Sequence, residues 1–135
     1  MRAGRRVVAL IEDDPVVRWP LAQGLDAAGY IVLGAASGPE GLQLLENPDV
    51  DVALVDVRLS GRLDGIGVVR EARRFNPKLK AALMSGRRPV EDVSDIGPFL
   101  AKPISLGALV TTIEAMLADY RTAAPLRGPI TSRPR

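Results

Sequence analysis

Two short runs of consecutive apolar residues, Val7-Val8-Ala9-Leu10-Ile11 and Val52-Ala53-Leu54-Val55, each stop in carboxylates: Glu12 and Asp13 after the first, Asp56 after the second. Unbroken apolar runs of this length read as strands buried on both faces, as in a parallel sheet covered by helices. After the first, Asp14-Pro15 predicts a helix start, with an acid at the cap and proline in the first turn. Val16, Val17, Leu21, Leu25 and Ala28 recur at helical spacing up to Gly29, with Pro20 an interruption inside the helix. Residues 30–35 predict a second strand, and Ser37-Gly38-Pro39-Glu40 opens a second helix running to about residue 45. Asn47-Pro48-Asp49 is a turn before the third strand, residues 50–56.

The second half repeats the alternation. Residues 58–64 carry one glycine and no period, 65–74 predict a helix, and Asn76-Pro77 breaks it. A fourth strand is expected over 79–84, a short helix around Val90 to Ile96, a brief fifth strand over 99–101, and a last helix over 106–117. Strands alternating with helices imply an α/β fold, a doubly wound five-stranded parallel sheet with a shortened fourth helix. In such sheets ligands bind at the carboxyl ends of the strands, where these acids fall.

Composition narrows the chemistry. The 135 residues suffice for one domain, and 47% hydrophobic content argues against disorder of the whole. The chain has no cysteine and no histidine, which excludes disulfides, thiolate chemistry, Ser-His-Asp catalysis, His-ligated zinc and phosphohistidine on this chain itself. Absence of cysteine suits a cytoplasmic location. No apolar run has membrane-spanning length, and the basic start is no signal peptide. The pI of 9.4 misleads, because seven of the arginines lie outside residues 7–120. Inside that span eleven Lys/Arg face sixteen Asp/Glu, a net of −5, so direct nucleic-acid binding and membrane binding are not expected.

Four strand ends carry polar residues of complementary type: Glu12 and Asp13, Asp56, Ser85, and Lys102. Any one of them has a plain structural explanation, and Asp14 is read as a helix cap and no more. Together they suggest acids that hold Mg²⁺ through oxygen, beside a hydroxyl and an ammonium able to hold phosphoryl oxygens.

At this point the chain resembles the receiver domain of bacterial two-component response regulators, of flavodoxin-like fold with a β-α unit repeated five times. The resemblance covers about residues 5–120 and rests on Ile11-Glu12-Asp13-Asp14-Pro15, Leu54-Val55-Asp56-Val57, Asp64-Gly65, Leu83-Met84-Ser85-Gly86 and Ala101-Lys102-Pro103. It implies that Asp56 is the phosphoacceptor, that Asp13 binds Mg²⁺ directly and Glu12 mainly through water, and that the Arg58 backbone carbonyl is a further ligand. Lys102 would pair with Asp56 or the phosphoryl group, Ser85 would hydrogen-bond a phosphoryl oxygen, and Lys102-Pro103 would be cis. Ser85 and Phe99 would form the switch. The phosphodonor would be a sensor histidine kinase or a histidine phosphotransfer protein, with a downstream protein target. Such a domain is not an enzyme on other substrates; it catalyses only its own phosphorylation and dephosphorylation.

Departures from the family pattern are instructive. The loop between Asp56 and Asp64 is one residue longer than the common form, with Ser60 where proline is usual, and the stretch from Ser85 to Lys102 is several residues short. The usual dimer, which uses the fourth helix, therefore cannot be assumed. Residues 1–4 read as a basic extension, 5–120 as the receiver, and 121–135 as an Arg/Pro-rich tail or linker remnant, too short for a helix-turn-helix unit. The expectation is a stand-alone or excised receiver. Two competing readings are a pseudo-receiver that binds partners without phosphorylation, and a Mg²⁺-dependent phosphohydrolase. The second lacks the acid such an enzyme needs just after its nucleophile, since Asp56 is followed by Val57-Arg58.

Overall fold

A computed structural model of the protein describes residues 4–123, with side chains described up to residue 118. Its elements run β1 (Val7–Ile11), α1 (Pro15–Ala27), β2 (Ile31–Ala35), α2 (Gly38–Leu44), β3 (Val52–Asp56), α3 (Gly65–Phe75), β4 (Ala81–Ser85), β5 (Phe99–Ala101) and α4 (Leu106–Ala123). The strands form one parallel sheet in the order β2-β1-β3-β4-β5, the doubly wound arrangement expected from the alternation of elements. β1, β3 and β4 are buried at every position because both sheet faces are covered. One face packs Ile11, Val55, Leu83 and Val69 with α2 and α3; the other packs Leu10, Leu54, Met84, Leu25 and Ile113 with α1 and α4.

The helix starts follow their caps. Asp14 accepts from Val16 N at 2.9 Å, Ser37 from Glu40 N at 3.2 Å, and Asp64 from Gly67 N at 2.8 Å. Glu40 answers by accepting from Ala36 N at 2.8 Å, which closes the second helix start as a capping box shifted by one residue. Pro20 stands inside α1 as the sequence requires.

The shortening of the fourth helix goes further than expected. Between β4 and β5 the described chain forms no helix, only a turn over residues 94–96. Two turns are too few to form on propensity alone. Asp92 accepts from Ser94 N at 2.9 Å, a local bond that competes with helix. Arg73 on α3 pins the end of this segment: it donates to Asp95 O at 3.2 Å and Ile96 O at 2.6 Å, while also gripping Leu79 O at 2.9 Å. Arg70 pairs with Asp95 at 3.1 Å and Glu91 at 3.8 Å. Val93 and Ile96 are buried against the α3 side of the sheet, and Val90 is left fully exposed.

The last helix extends to Ala123, six residues past the predicted end and three into the expected tail. Residues 1–3 of the basic extension and 124–135 of the tail lie outside the described residues. Among the described residues no helix is long and apolar enough to cross a membrane.

Candidate functional site

The sheet topology brings four strand ends to one edge. β1 and β3 are direct neighbours, so Glu12 and Asp13 leave the sheet beside Asp56. β4 and β5 follow on the far side of β3, and Lys102 N donates to Ser85 O at 2.8 Å, closing the β5 end against β4.

Carboxylate oxygens of Glu12, Asp13 and Asp56 all lie within 4.8 Å of one another. Glu12 and Asp56 are buried, and Asp13 is half-buried. Backbone amides hold the outer two acids in place: Arg58 N donates to Asp56 Oδ1 at 3.1 Å, and Ser60 N to Asp13 Oδ2 at 3.3 Å. Lys102 Nζ stands 3.2 Å from Asp56 Oδ2 and only 2.7 Å from Glu12 Oε1. The nearer partner is thus Glu12, which the sequence did not suggest. Burial pushes the Glu12 carboxyl up to about 7, against the opposing pull of Lys102 and the Asp14 amide. For Lys102 burial acts to lower the ammonium, but hydrogen bonding and attraction to Glu12, then to Asp56, outweigh it and the value is raised.

This charge distribution is unfinished. Three acids share one ammonium, and Glu12 Oε1, although in ion-pair contact with Lys102, has no aligned hydrogen-bond donor despite full burial. Oxygen-only donors, like charges held together by the fold and a buried oxygen without a donor fit a hard divalent cation. Asp56 points toward residues 13 and 102.

Ser85 is buried, and its Oγ accepts from Arg87 N at 3.2 Å. The Lys102-Pro103 peptide is cis. Phe99 is half-buried, and the Arg88 guanidinium lies 4.6 Å from its ring centroid. Arg58 and Arg87 are exposed, and their backbone N–H groups donate to Asp56 Oδ1 and Ser85 Oγ. Sequence reasoning missed two contributors: Arg88, and Arg18, whose Nη1 donates to Glu12 O at 2.6 Å and ties α1 to the acid pair. Position four after the Asp14 cap was the available signal for Arg18, since it returns that side chain to the strand end.

The response regulator receiver domain family matches residues 8–114. The chain belongs to that family. Among curated relatives, this receiver is 36% identical over 123 residues to the sensor kinase CckA of Brucella abortus (strain 2308), covering 85% of the chain and 13% of that protein. It is 32% identical over 132 residues to the transcriptional regulatory protein PdtaR of Mycobacterium tuberculosis (strain ATCC 25618 / H37Rv), covering 94% of the chain and 64% of that protein. The receiver therefore spans less than two thirds of these relatives' own length. Among solved structures, the receiver domain of the hybrid histidine kinase CckA superposes with a TM-score of 0.71 at 30% identity, covering 82% of this chain and 98% of that one. The receiver domain protein of Methanospirillum hungatei JF-1 reaches a TM-score of 0.82 at 23% identity, covering 90% and 100%, and speaks for the fold alone.

Proposed function

We propose that this receiver is a phosphoacceptor switch in a two-component phosphorelay, with Asp56 the residue phosphorylated in a Mg²⁺-dependent reaction. The observation that carries this reading is the Asp56 carboxylate held 3.2 Å from Lys102 beside Glu12 and Asp13. One Asp56 oxygen attacks phosphorus, an O–P bond forms as the donor's bond to phosphorus breaks, and the product is an acyl phosphate. Glu12, Asp13, Asp56 and the Arg58 carbonyl would hold Mg²⁺, which when bound neutralises charge on the phosphoryl oxygens. Lys102 offsets the remaining charge, and the Ser85 hydroxyl turns from the Arg87 amide toward a phosphoryl oxygen. Phe99, one strand over from Ser85, carries that movement to the surface.

The phosphodonor is a sensor histidine kinase or a histidine phosphotransfer protein, and the output is a change in binding to a downstream protein in the cytoplasm. Catalysis is confined to the domain's own phosphorylation and dephosphorylation. The net negative charge of residues 7–120 supports protein rather than nucleic-acid partners.

Incubation with acetyl phosphate and Mg²⁺ tests this directly. Intact mass should rise by one phosphoryl group, the rise should vanish in chelator, and borohydride trapping should convert residue 56 to homoserine. Trapping at any other residue sinks the assignment; no mass gain would leave a pseudo-receiver that acts by binding alone. A second expectation concerns Arg58 and Arg87, each two residues after a site residue. Their exposed guanidinium groups can overhang the pocket, so Arg58→Ala and Arg87→Ala should each change the acyl-phosphate lifetime about two- to fivefold, the size of a weakly screened surface interaction. Dephosphorylation followed by mass spectrometry reads this, and unchanged rates in both would dispose of the role.

A further inference from the structure

β2 is an end strand of the sheet, and its outer edge is chemically unguarded. Natural edge strands are usually blunted by charge, proline or a bulge. Ile31-Val32-Leu33-Gly34-Ala35 has none of these: it is five residues long, uncharged and regular in its pairing with β1. Ile31 N donates to Arg6 O and Ala35 O accepts from Glu12 N, so residues 31, 33 and 35 turn their backbone groups toward β1. By the alternation of a strand, the N–H and C=O of Val32 and Gly34 point outward.

The neighbouring face of α1 continues this edge. Arg18, Trp19, Ala22, Asp26, Val32 and Gly34 line an open groove of about 400 Å³. Trp19, the single tryptophan of the chain, is 57% exposed there. Tryptophan is among the residues enriched where a few side chains carry most of the binding energy of an interface.

We infer that β2 and the outer face of α1 form a two-fold interface between two copies of this chain, with β2 pairing antiparallel to β2 and joining the two sheets into one. Three features select a second copy as the occupant. With Leu33 on the axis, Val32 falls opposite Gly34 of the second copy, and these are the residues whose backbone groups face outward. They form two reciprocal hydrogen-bonded pairs, the arrangement an antiparallel ladder requires. The same register sets the Val32 side chain over the position where Gly34 has none, and a Cβ at Gly34 would meet only the Arg18 stem at 3.8 Å. Charge supplies the third feature. Arg18 and Asp26 sit equally spaced about Ala22 on α1, so antiparallel helices bring Arg18 of each copy to Asp26 of the other. Arg18 is bonded to Glu12 O, and Asp26 has a loose 3.7 Å contact with Arg5; both contacts leave carboxylate and guanidinium edges free to pair again. The surface lies at the opposite end of the sheet from β5 and Phe99.

Sedimentation velocity of the full chain from low micromolar to near-millimolar concentration tests the inference. A concentration-dependent dimer is expected. Val32→Pro removes an outward N–H that β1 does not use, and should leave a monomer with an unchanged circular dichroism spectrum. Arg18→Asp or Asp26→Arg alone should weaken association about tenfold, the equivalent of ~1.4 kcal/mol. The double exchange should recover most of the loss. Both the Arg18 single variant and the double lack the Arg18 bond to Glu12 O, so recovery reports the contact between copies and not repair of the fold. A wild-type chain that stays monomeric throughout overturns the interface. So does a dimer indifferent to Val32→Pro, or a double exchange that recovers nothing.

Discussion

Asn in place of Asp56 is expected to abolish phosphoryl incorporation while raising the melting temperature of the metal-free protein. The amide is no nucleophile toward phosphorus, so the mass gain with acetyl phosphate should disappear entirely. The thermal effect follows from crowding of charge. Glu12, Asp13 and Asp56 present oxygens within 4.8 Å of one another, with Lys102 as the cation in contact. Like unit charges at that separation repel by roughly 3 kcal/mol at an effective dielectric of 20. Removing one of them relieves Glu12, whose carboxyl Asp56 helps to push upward, and lets Lys102 remain with its nearer partner at 2.7 Å. The Asn carbonyl oxygen keeps the Arg58 amide bond. Some attraction between Lys102 and residue 56 is lost, so the net gain should be only about 1 kcal/mol, or a few degrees. Calorimetry with and without Mg²⁺ checks both halves: the variant should melt higher without metal and respond less to its addition. A variant that melts lower, or responds to Mg²⁺ as the wild type does, would show that residue 56 is not part of the acidic cluster's repulsion.

The largest loss of stability is expected from Gly65→Ala. Asp64-Gly65 opens α3 against the end of β3, and a Cβ at residue 65 would run into the Asp56 backbone carbonyl and press Val55 Cγ1 at 3.0 Å. The obstacle is main chain in the centre of the sheet, so it cannot swing aside. Overpacking of this kind costs about 3 kcal/mol, and melting should fall by roughly 10 °C. Any relaxation must displace Asp56 itself, so phosphorylation should slow along with the loss of stability. Gly107→Ala is the control. Open space surrounds that position near the start of α4, and the change should stabilise by about 0.5–1 kcal/mol. Equal melting of Gly65→Ala and wild type would refute the close approach.

Much of this was legible in the sequence for a physical reason. Strands covered on both faces need no polar positions, so β1 and β3 appear as unbroken apolar runs, and solvent-facing ends are where such runs must stop. Acids at those stops, followed by Asp14-Pro15 or Asp64-Gly65 helix starts, locate the site before any coordinates. The segment after β4 misled because Val90, Val93 and Ile96 recur every third residue like a helix face. Only Val93 and Ile96 reach the core, and Arg73, far away in sequence, pins the end of the segment. Nothing local in residues 87–97 announces that contact. The nearer pairing of Lys102 with Glu12 was hidden for a related cause: spacing along a chain says which strand ends meet, not which of two adjacent oxygens an ammonium approaches.

The guanidinium of Arg73 has one more implication. A helix lying over β5 would have hidden the rim of the sheet behind a cylinder of side chains; a thin strap pinned from α3 leaves that rim uncovered. On that side Phe99 and Leu100 of β5 are only half-buried and Ala101 is exposed, with the Arg88 guanidinium over the Phe99 ring as the side chain set against the strand.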